Sequence, residues 1–449
     1  MTISHVQTPG YPPRRSALYV GFLVFLATVC SLLDRQILAL LVAPIRKDLH
    51  ISDTQMSLLY GFAFVLLYCT MGLPLGRIVD RWQRKFVLSA GVATWSLMTL
   101  LCGLAPDFRM LFIARIGVGI GEACLVPAAC SLLADCFAPQ TRGRAMGFYT
   151  LGIYVGLGLS MIAGGVLYDR LIHSAPLPVF GALPAWREVF VLVSIPGFVV
   201  SLLALTLREP ARQDTLSPLG STHEARPSPA FLSYLMEHRK VLGPALLANG
   251  LLAFMAFAVL GWAPSVLSRQ YSLSGSAIGL TLGALSTGGG AAGALIGAYV
   301  CDRWTARGRM AAKYTVTATA ALLSGVGLVI LALSSTVWMS VTAIGVCIIA
   351  PALWATSSQA MVQELYPNRL RGQGSALVVM GNGLFGLGGG PLAVGFLSDH
   401  VFIGHPLSTS IVAVALPAVL GTLLLYFLSR RGYEALRQLT LGLKLGGAP

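Results

Sequence analysis

The sequence predicts an all-α membrane protein with twelve transmembrane helices in two pseudo-symmetric six-helix halves. Three observations predict this fold: the composition, a series of long apolar runs, and a repeated pair of loop motifs. Of the 449 residues, 55% are hydrophobic and 11% are charged, whereas soluble domains carry about 25% charged residues. This composition is typical of a protein that crosses a membrane many times.

Twelve apolar runs follow one another along the chain, most of them about 20 residues long or longer, which is the length a helix needs to cross a bilayer. We predict one transmembrane helix for each run, near 17–44, 54–76, 86–105, 108–134, 144–168, 187–207, 241–267, 275–300, 311–333, 336–363, 373–397 and 408–428.

The distribution of basic residues predicts the topology. If the N-terminus is cytoplasmic, 23 of the 31 Lys and Arg residues fall in segments on that side, six fall on the other side, and Arg35 and Arg115 lie within spans. Positive charge concentrates in cytoplasmic loops, so we expect both termini in the cytoplasm. The net charge of +14 reflects this topology and contact with membrane lipids, and we expect no nucleic-acid partner.

A polar segment at 208–240 separates six runs from six. We therefore predict a cytoplasmic tail at 1–16, an N-terminal half at 17–207, a cytoplasmic linker at 208–240, a C-terminal half at 241–428, and a cytoplasmic tail at 429–449. A linker of this composition is typical of a tether between two units.

Two loop motifs recur in both halves. The first places Asp80-Arg81-Trp82 after span 2 and Asp302-Arg303-Trp304 after span 8, an offset of 222 residues. The second places Arg142-Gly143 after span 4 and Arg371-Gly372 after span 10, an offset of 229. Two separate motifs at nearly one spacing indicate an internal duplication, which is common in transporters.

Four charged residues lie in the interior of the apolar runs, away from their ends: Asp34, Arg35, Arg115 and Glu122. Each costs at least about 2.5–3.5 kcal/mol in the bilayer centre. Arg115 and Glu122 are seven residues apart, so they share one helix face roughly two turns apart, whereas Asp34 and Arg35 point about 100° apart. We interpret the four as a polar site in the bundle. The alternative is two ion pairs that only fix helix packing.

Several motifs resemble known families. Gly76-x-x-x-Asp80-Arg81-x-x-Arg84-Lys85 and Arg115-Ile-Gly-Val-Gly-Ile-Gly-Glu122 resemble the loop 2–3 and span 4 motifs of the major facilitator superfamily. Together, the Asp34-Arg35, Gly121-Glu122-Ala123, Arg208-Glu209-Pro210 and Trp262-Ala263-Pro264 motifs resemble the Spinster family of lysolipid and sphingolipid transporters. The resemblance implies the major facilitator fold, with spans 1, 4, 7 and 10 around a central cavity that the four charges face.

Two roles for these charges remain open. Asp34 and Glu122 can carry protons, and Arg35 and Arg115 can bind an anionic headgroup, because a guanidinium matches a phosphate bidentately. Apart from Lys313 at the start of span 9, spans 7–12 contain no charge in their apolar runs. We therefore expect a headgroup at the N-terminal half and an acyl chain at the C-terminal half, with Trp354 as a substrate-binding residue. The alternative for Trp354 is ordinary lining or packing. Trp262, near a span end, is predicted to be an interfacial anchor.

The resemblance also implies a cytoplasmic gate. Asp80 would meet the positive N-terminus of span 11, with Gly76 beside it and Arg81, Arg84 and Arg142 tying the loop to span 4. The corresponding residues in the second half are Asp302, Arg303 and Arg371. Such contacts would form when the cytoplasmic side closes and break when it opens.

These patterns predict a secondary active transporter that works by alternating access, and neither an enzyme nor a channel. We expect an amphipathic anionic or zwitterionic lipid as substrate, a lysophospholipid or a sphingolipid-like molecule, with coupling to protons through Asp34 and Glu122. The alternative substrate is a small organic anion or a drug-like compound. We expect no cofactor or metal, and a monomer in a bacterial inner membrane.

Overall fold

The computed structural model of the protein describes residues 10–174, 183–212, 231–309, 311–367 and 370–440. Twelve helices among them are long and apolar enough to cross a membrane, which confirms the predicted number, and they are numbered α1 to α12. The remaining parts of the two predicted tails and most of the predicted linker lie outside the described residues.

The helices of the N-terminal half are α1 (Arg14–Leu40), α2 (Asp53–Ser57, Leu58–Phe62 and Ala63–Arg81), α3 (Arg84–Leu104), α4 (Phe108–Glu122 and Leu125–Cys136), α5 (Pro139–Ile172) and α6 (Ala185–Leu205). Those of the C-terminal half are α7 (Arg239–Tyr271), α8 (Gly275–Ala284, Leu285–Gly289 and Gly290–Ala306), α9 (Ala312–Ala332), α10 (Val337–Leu365), α11 (Arg371–Gly381, Asn382–Gly389 and Gly390–His400) and α12 (Leu407–Thr440). Two short helices, Val42–Leu49 and Phe231–Glu237, precede α2 and α7.

The same helix pairs pack in both halves, which confirms the predicted pseudo-symmetry. Helix α2 packs on α4, and α3 packs on α4 and α6; in the second half α8 packs on α10, and α9 packs on α10 and α12. The halves meet along two seams, α2 with α11 and α5 with α8. Helix α12 continues to Thr440, through residues that the sequence assigns to the second tail.

The bundle has two ends, the tail side and the distal side. The tail side carries residue 10, the α2–α3 and α4–α5 loops and the end of α12, and the distal side carries the α1–α2 and α7–α8 connections. On the distal side four helices begin at a side chain that accepts a hydrogen bond from their first turn, which stabilises a helix start: Ser52, Asp107, Ser274 and Thr336. Ser52 and Ser274 are 222 residues apart, and Asp107 and Thr336 are 229 apart, so the loop offsets extend to the helix caps.

The seams are close because glycine carries no side chain. A Cβ on Gly61 of α2 would lie 2.0 Å from the carbonyl oxygen of Leu387 in α11, and one on Gly165 of α5 would lie 2.1 Å from that of Gly275 in α8. Such close approach is typical of small residues between membrane helices. In α2, α8 and α11 a segment with π-helical hydrogen bonding interrupts the α-helix.

The prediction for Trp262 is wrong. Its side chain is 2% exposed, and its indole nitrogen donates a hydrogen bond of 3.0 Å to the carbonyl oxygen of Pro391 in α11. An interfacial anchor would have an exposed ring, whereas this ring fills the space between α7 and α11. Position near a span end could not reveal that the side chain turns towards the bundle.

Candidate functional site

Glu122 and Arg35 form an ion pair between α4 and α1 in the N-terminal half. An Nη atom of Arg35 donates to one carboxylate oxygen of Glu122 at 2.5 Å, and the Ser31 hydroxyl donates to the same oxygen at 2.7 Å. The Glu122 side chain is fully buried, while that of Arg35 is 17% exposed. Buried charges need a partner and hydrogen bonds to be tolerated, and this carboxylate has both.

Two aromatic rings of α2 hold the Arg35 guanidinium in place. Its central carbon lies 4.2 Å from the centre of the Phe64 ring and 5.2 Å from that of Tyr68. Cation–π contacts of this kind orient a guanidinium and lower the cost of removing it from water. Arg35 is thus preorganised, and its Nε atom has no hydrogen-bond partner among the described residues.

Arg115 binds backbone groups. It donates to the carbonyl oxygens of Asp34 (3.1 Å) and Leu59 (3.4 Å), and the latter lies in the π-helical segment of α2. Arg115 and Glu122 lie in the same helical segment of α4 but have different partners. The four predicted site residues thus form two groups, an Arg35–Glu122 pair and an Asp34–Arg115 group. Asp34, Arg115 and Glu122 are at most 1% exposed, and Arg35 is the most exposed of the four.

The Asp34 carboxyl group lies within electrostatic range of Arg115 and Glu122 and beside the Thr99 hydroxyl of α3. Neither of its oxygens has a hydrogen-bond partner within the described chain, and the same is true of one Glu122 oxygen and of the Thr99 hydroxyl. Buried polar groups are normally satisfied by protein, water or ions. Two carboxyl groups therefore have oxygens without a hydrogen-bond partner, which can bind a proton or a water molecule.

Trp354 lies in α10 of the C-terminal half. It is 7% exposed, and its indole nitrogen donates to the Asn249 side-chain oxygen in α7 at 2.7 Å, an oxygen that also accepts from the Ser358 hydroxyl at 2.6 Å. The hydrogen bonds between α7 and α10 fix the ring. An aromatic surface held in this way is rigid, and its indole nitrogen is already engaged.

The predicted gate residues lie on the tail side, and none of them bonds to the other half within the described residues. Asp80, Arg81, Asp302 and Arg303 are exposed, and a Cβ on Gly76 would meet nothing within 4 Å. The other contacts stay within one half: Arg142 donates to the carbonyl oxygen of Ala134, Arg303 to the Tyr299 hydroxyl, and Arg371 to the carbonyl oxygen of Tyr366.

Arg84 differs from the other predicted gate residues because its side chain is fully buried. It pairs with Asp135 of α4, donates to Glu209 (2.7 Å) and to the carbonyl oxygen of Pro210 (2.7 Å), and so fastens the start of the linker beneath α3. The second half repeats the arrangement, since Lys313 pairs with Glu364, and both residues lie 229 positions after Arg84 and Asp135.

The distal side is closed by contacts between α2 and the C-terminal half. Asp53 pairs with Arg269 of α7 through two bonds of 2.6 and 2.8 Å. Asp399 of α11 accepts hydrogen bonds from the backbone amides of Asp53 (3.1 Å) and Thr54 (2.7 Å). A carboxylate at a helix N-terminus is favourable, so the end of α11 caps α2.

The second seam has the corresponding cap. Asp169, near the end of α5, accepts from the backbone amides of Gly275 (3.0 Å) and Ser276 (2.7 Å) at the start of α8. Further along, the Thr287 hydroxyl donates to the carbonyl oxygen of Tyr154 at 3.3 Å. Within the described residues, the side-chain hydrogen bonds between halves thus lie on the distal side or near the middle, and none lies on the tail side.

Sequence reasoning missed the distal residues Asp53, Asp169, Arg269 and Asp399, because charges at span ends look like ordinary topology charges. A signal did exist. Asp53 and Gly275, which follow the two caps, are 222 residues apart, and Asp169 and Asp399 are 230 apart, close to the loop offsets. Searching for carboxylates at span ends that recur at the offset of the repeat would have matched Asp169 with Asp399.

Comparison with known proteins gives a consistent result. The profile described as Major Facilitator Superfamily matches residues 24–322. A crystal structure of a bacterial homologue of the human lysosomal transporter Spinster, in an inward-facing and unoccupied conformation, superposes with a TM-score of 0.76 at 23% identity, covering 97% of this chain and all of the other. At this identity the superposition is evidence of fold alone.

Three relatives span different named activities. An efflux pump of Mycolicibacterium smegmatis is 29% identical, covering 87% of this chain and 86% of the relative. A probable L-galactonate transporter of Escherichia coli is 30% identical, covering 64% and 62%. A sphingosine-1-phosphate transporter of Xenopus tropicalis is 25% identical, covering 87% and 76%.

Proposed function

Because the chain belongs to the major facilitator superfamily, as a transporter of the Spinster type, we propose that it carries a single-chain anionic or zwitterionic lipid, such as a lysophospholipid or a sphingolipid-like molecule. The protein is a membrane transporter and not an enzyme. The named activity of the Xenopus relative, which transports sphingosine-1-phosphate, is consistent with a lipid phosphate as substrate.

The partly exposed Arg35 guanidinium is the observation that carries the proposal. It is oriented by Phe64 and Tyr68, it bonds to Glu122 with one nitrogen, and its Nε is free among the described residues. That Nε is itself buried, so in this proposal a phosphate approaches the exposed edge of the guanidinium and forms charge-assisted hydrogen bonds there. Arg115 lies deeper and is engaged by backbone carbonyls, so its role is to hold α1, α2 and α4 together around the site.

The C-terminal half offers the acyl chain a different surface. The Trp354 ring is held by Asn249, and apart from Lys313 at the start of span 9 the predicted spans of this half have no charged residue in their apolar runs. In this arrangement the polar headgroup binds Arg35 in the charged N-terminal half, and the acyl chain lies towards Trp354 in the apolar C-terminal half.

Proton coupling follows from competition for Arg35. A phosphate and the Glu122 carboxylate both bind the same guanidinium, so a proton on Glu122 would release Arg35 for the substrate. Asp34, with neither carboxyl oxygen bonded within the described chain, is the second proton site in this proposal.

In the proposed transport cycle, the contacts at the two ends of the seams form and break in turn. In the described state the distal contacts around Asp53 and Asp169 are formed, and Asp80 on the tail side is exposed. With the predicted topology, this state faces the cytoplasm. In the opposite state Asp80, Arg81, Arg142 and their C-terminal equivalents would close the tail side while the distal contacts separate.

Uptake of labelled lysophospholipid into proteoliposomes at two pH values tests the proposal, comparing the wild type with Arg35→Ala and Glu122→Gln. We expect saturable uptake in the wild type, loss of saturation in Arg35→Ala, and uptake that no longer depends on pH in Glu122→Gln. Unchanged kinetics in both variants would refute this site, and lysophospholipid uptake that does not saturate in folded wild type would refute the carrier.

A small organic anion is the second candidate. It is favoured by the similarity to a probable L-galactonate transporter, because a sugar acid is a carboxylate that Arg35 could bind in the same way. The two candidates separate in one experiment: unlabelled galactonate and lysophospholipid are each added to the uptake assay. Competition by the lipid alone supports the proposal, and competition by the sugar acid alone supports the alternative.

A further inference from the structure

A groove runs between the first turns of α1 and α5 on the tail side. Its volume is about 690 Å³, large enough for a substantial part of a lipid molecule. It is lined by Tyr11, Pro12, Arg14, Ala17, Leu18, Gly21, Phe22, Cys136, Phe137, Ala138, Thr141, Arg144, Ala145 and Phe148. Apart from two arginines, nearly all of these residues are apolar.

The groove is separate from the charged site. Leu18 and Phe22 precede Arg35 by 17 and 13 residues, which corresponds to about 20–25 Å along α1. They also point roughly 100° and 140° away from Arg35 around the helix axis. Leu18 is 54% exposed, Phe22 50% and Phe148 40%, so apolar side chains of both helices face outward in a segment that crosses the membrane.

Arg14 and Arg144 are the two charged residues of the groove. Both are exposed, and neither forms a hydrogen bond or ion pair within the described part of the chain. The sequence contains no Asp or Glu between 10 and 33 or between 136 and 168, so the lining segments offer them no acidic partner. The groove therefore has apolar walls and an unpaired positive charge on each of its two helices.

We propose that this groove binds an anionic phospholipid of the tail-side leaflet, as a site distinct from the transport site. The phosphate lies between Arg14 and Arg144, and one acyl chain follows Leu18, Phe22 and Phe148 into the bilayer. Basic pockets between membrane helices bind anionic headgroups in this way. The charge complementarity selects an anionic lipid over a zwitterionic one, and the apolar walls require an acyl chain in addition to a phosphate.

The bound lipid would join α1 to α5 on the tail side of the N-terminal half. In that region α5 contacts α1 through Gly152, whose Cβ would lie 3.2 Å from Phe25, and through Phe148, whose ring stacks on that of Phe25 beside the groove. A lipid in the groove would continue this packing to the tail side. Its expected effect is to hold the two helices together while the halves move.

Native mass spectrometry of the purified full chain tests the site. The protein is incubated with equal amounts of phosphatidylglycerol and phosphatidylcholine that carry the same acyl chains. We expect wild type to retain phosphatidylglycerol by about tenfold or more over phosphatidylcholine, and Arg14→Ala/Arg144→Ala to lose that preference. The matched control is Arg15→Ala/Arg307→Ala, which removes two exposed tail-side arginines outside the groove and should keep it.

Two further variants separate the groove from other sites. Gly21→Leu should lower phospholipid retention without changing charge, because a Cβ there meets only the Phe137 ring at 3.7 Å and a larger side chain would occupy the groove. Arg35→Ala should retain phosphatidylglycerol as the wild type does. Retention in the double variant equal to wild type, equal loss in the control, or loss in Arg35→Ala would overturn the proposal. None of these results depends on which substrate is transported.

Discussion

Asp399 and Thr54 join the two halves through a pair of hydrogen bonds. One carboxylate oxygen of Asp399, at the end of α11, accepts from both the backbone amide and the hydroxyl of Thr54, in the first turn of α2, each at 2.7 Å. A charged acceptor placed at a helix N-terminus makes these bonds strong. The distal side is therefore held closed by a contact that a single substitution can weaken.

Asp399→Asn should increase the population with an open distal side. Hydrogen bonds to a charged group contribute about 1.5–3 kcal/mol each, so the loss of charge should shift the equilibrium by about tenfold or more. The shift can be measured as the distance between spin labels at two exposed distal positions, His50 and His405, which should lengthen. An unchanged distance distribution would contradict the assignment.

The control for that measurement is Asp107→Asn. Asp107 also lies on the distal side and accepts a backbone bond, from Met110 at 2.8 Å, but the cap stays within α4. Asn caps a helix about as well as Asp, so Asp107→Asn should change stability little and leave the distance between the labels as in the wild type.

Replacing one partner of the Arg35–Glu122 pair should destabilise the protein more than replacing both. Arg35→Met leaves the fully buried Glu122 carboxylate without its partner, which costs about 3–5 kcal/mol, whereas apolar replacement of both partners is often neutral. We expect a clear fall of Tm in Arg35→Met and recovery of most of it in Arg35→Met/Glu122→Met, while transport stays absent in both. Recovery of transport in the double variant would assign the pair to packing alone.

Arg84→Ala should loosen the start of the linker. The substitution removes the buried guanidinium that pairs with Asp135 and Glu209, so we expect several kcal/mol of destabilisation, about 3–5 by analogy with other buried pairs. Limited proteolysis should cut near the Arg208-Glu209-Pro210 segment earlier than in the wild type. The neighbouring Arg81 is exposed, and Arg81→Ala should leave both Tm and the cleavage rate within error of the wild type.

Two glycines of α2 should respond differently to alanine. In Gly61→Ala the new Cβ would lie 2.0 Å from the carbonyl oxygen of Leu387, so α2 and α11 must separate, and we expect a lower Tm and slower transport. In Gly76→Ala the Cβ meets nothing within 4 Å, and Tm should not change. Slower transport by Gly76→Ala at unchanged Tm would support close approach of the tail side in the opposite state.

Much of the architecture was predictable from the sequence. Span number and the two-fold repeat depend on local hydrophobicity and on loop motifs such as Asp80-Arg81 and Asp302-Arg303, which are properties of short segments. Arg84 shows the limit. Its motif predicted a tie from the loop to span 4, and in the structure Arg84 pairs with Asp135 of α4 and also with Glu209 at the start of the linker. No local pattern indicates which acid, 51 or 125 residues away, a basic side chain will meet.

The sequence by itself determined the twelve spans, their duplication and the presence of four charges within them, because the cost of charge in a bilayer is decided segment by segment. Only the tertiary structure decided the partners: Arg35 meets Glu122, while Arg115 binds the backbone of α1 and α2. Helical periodicity places Arg115 and Glu122 on one face of α4, but which atoms face them depends on how α1 and α2 pack against it. Contacts between helices are set by the fold of the whole bundle.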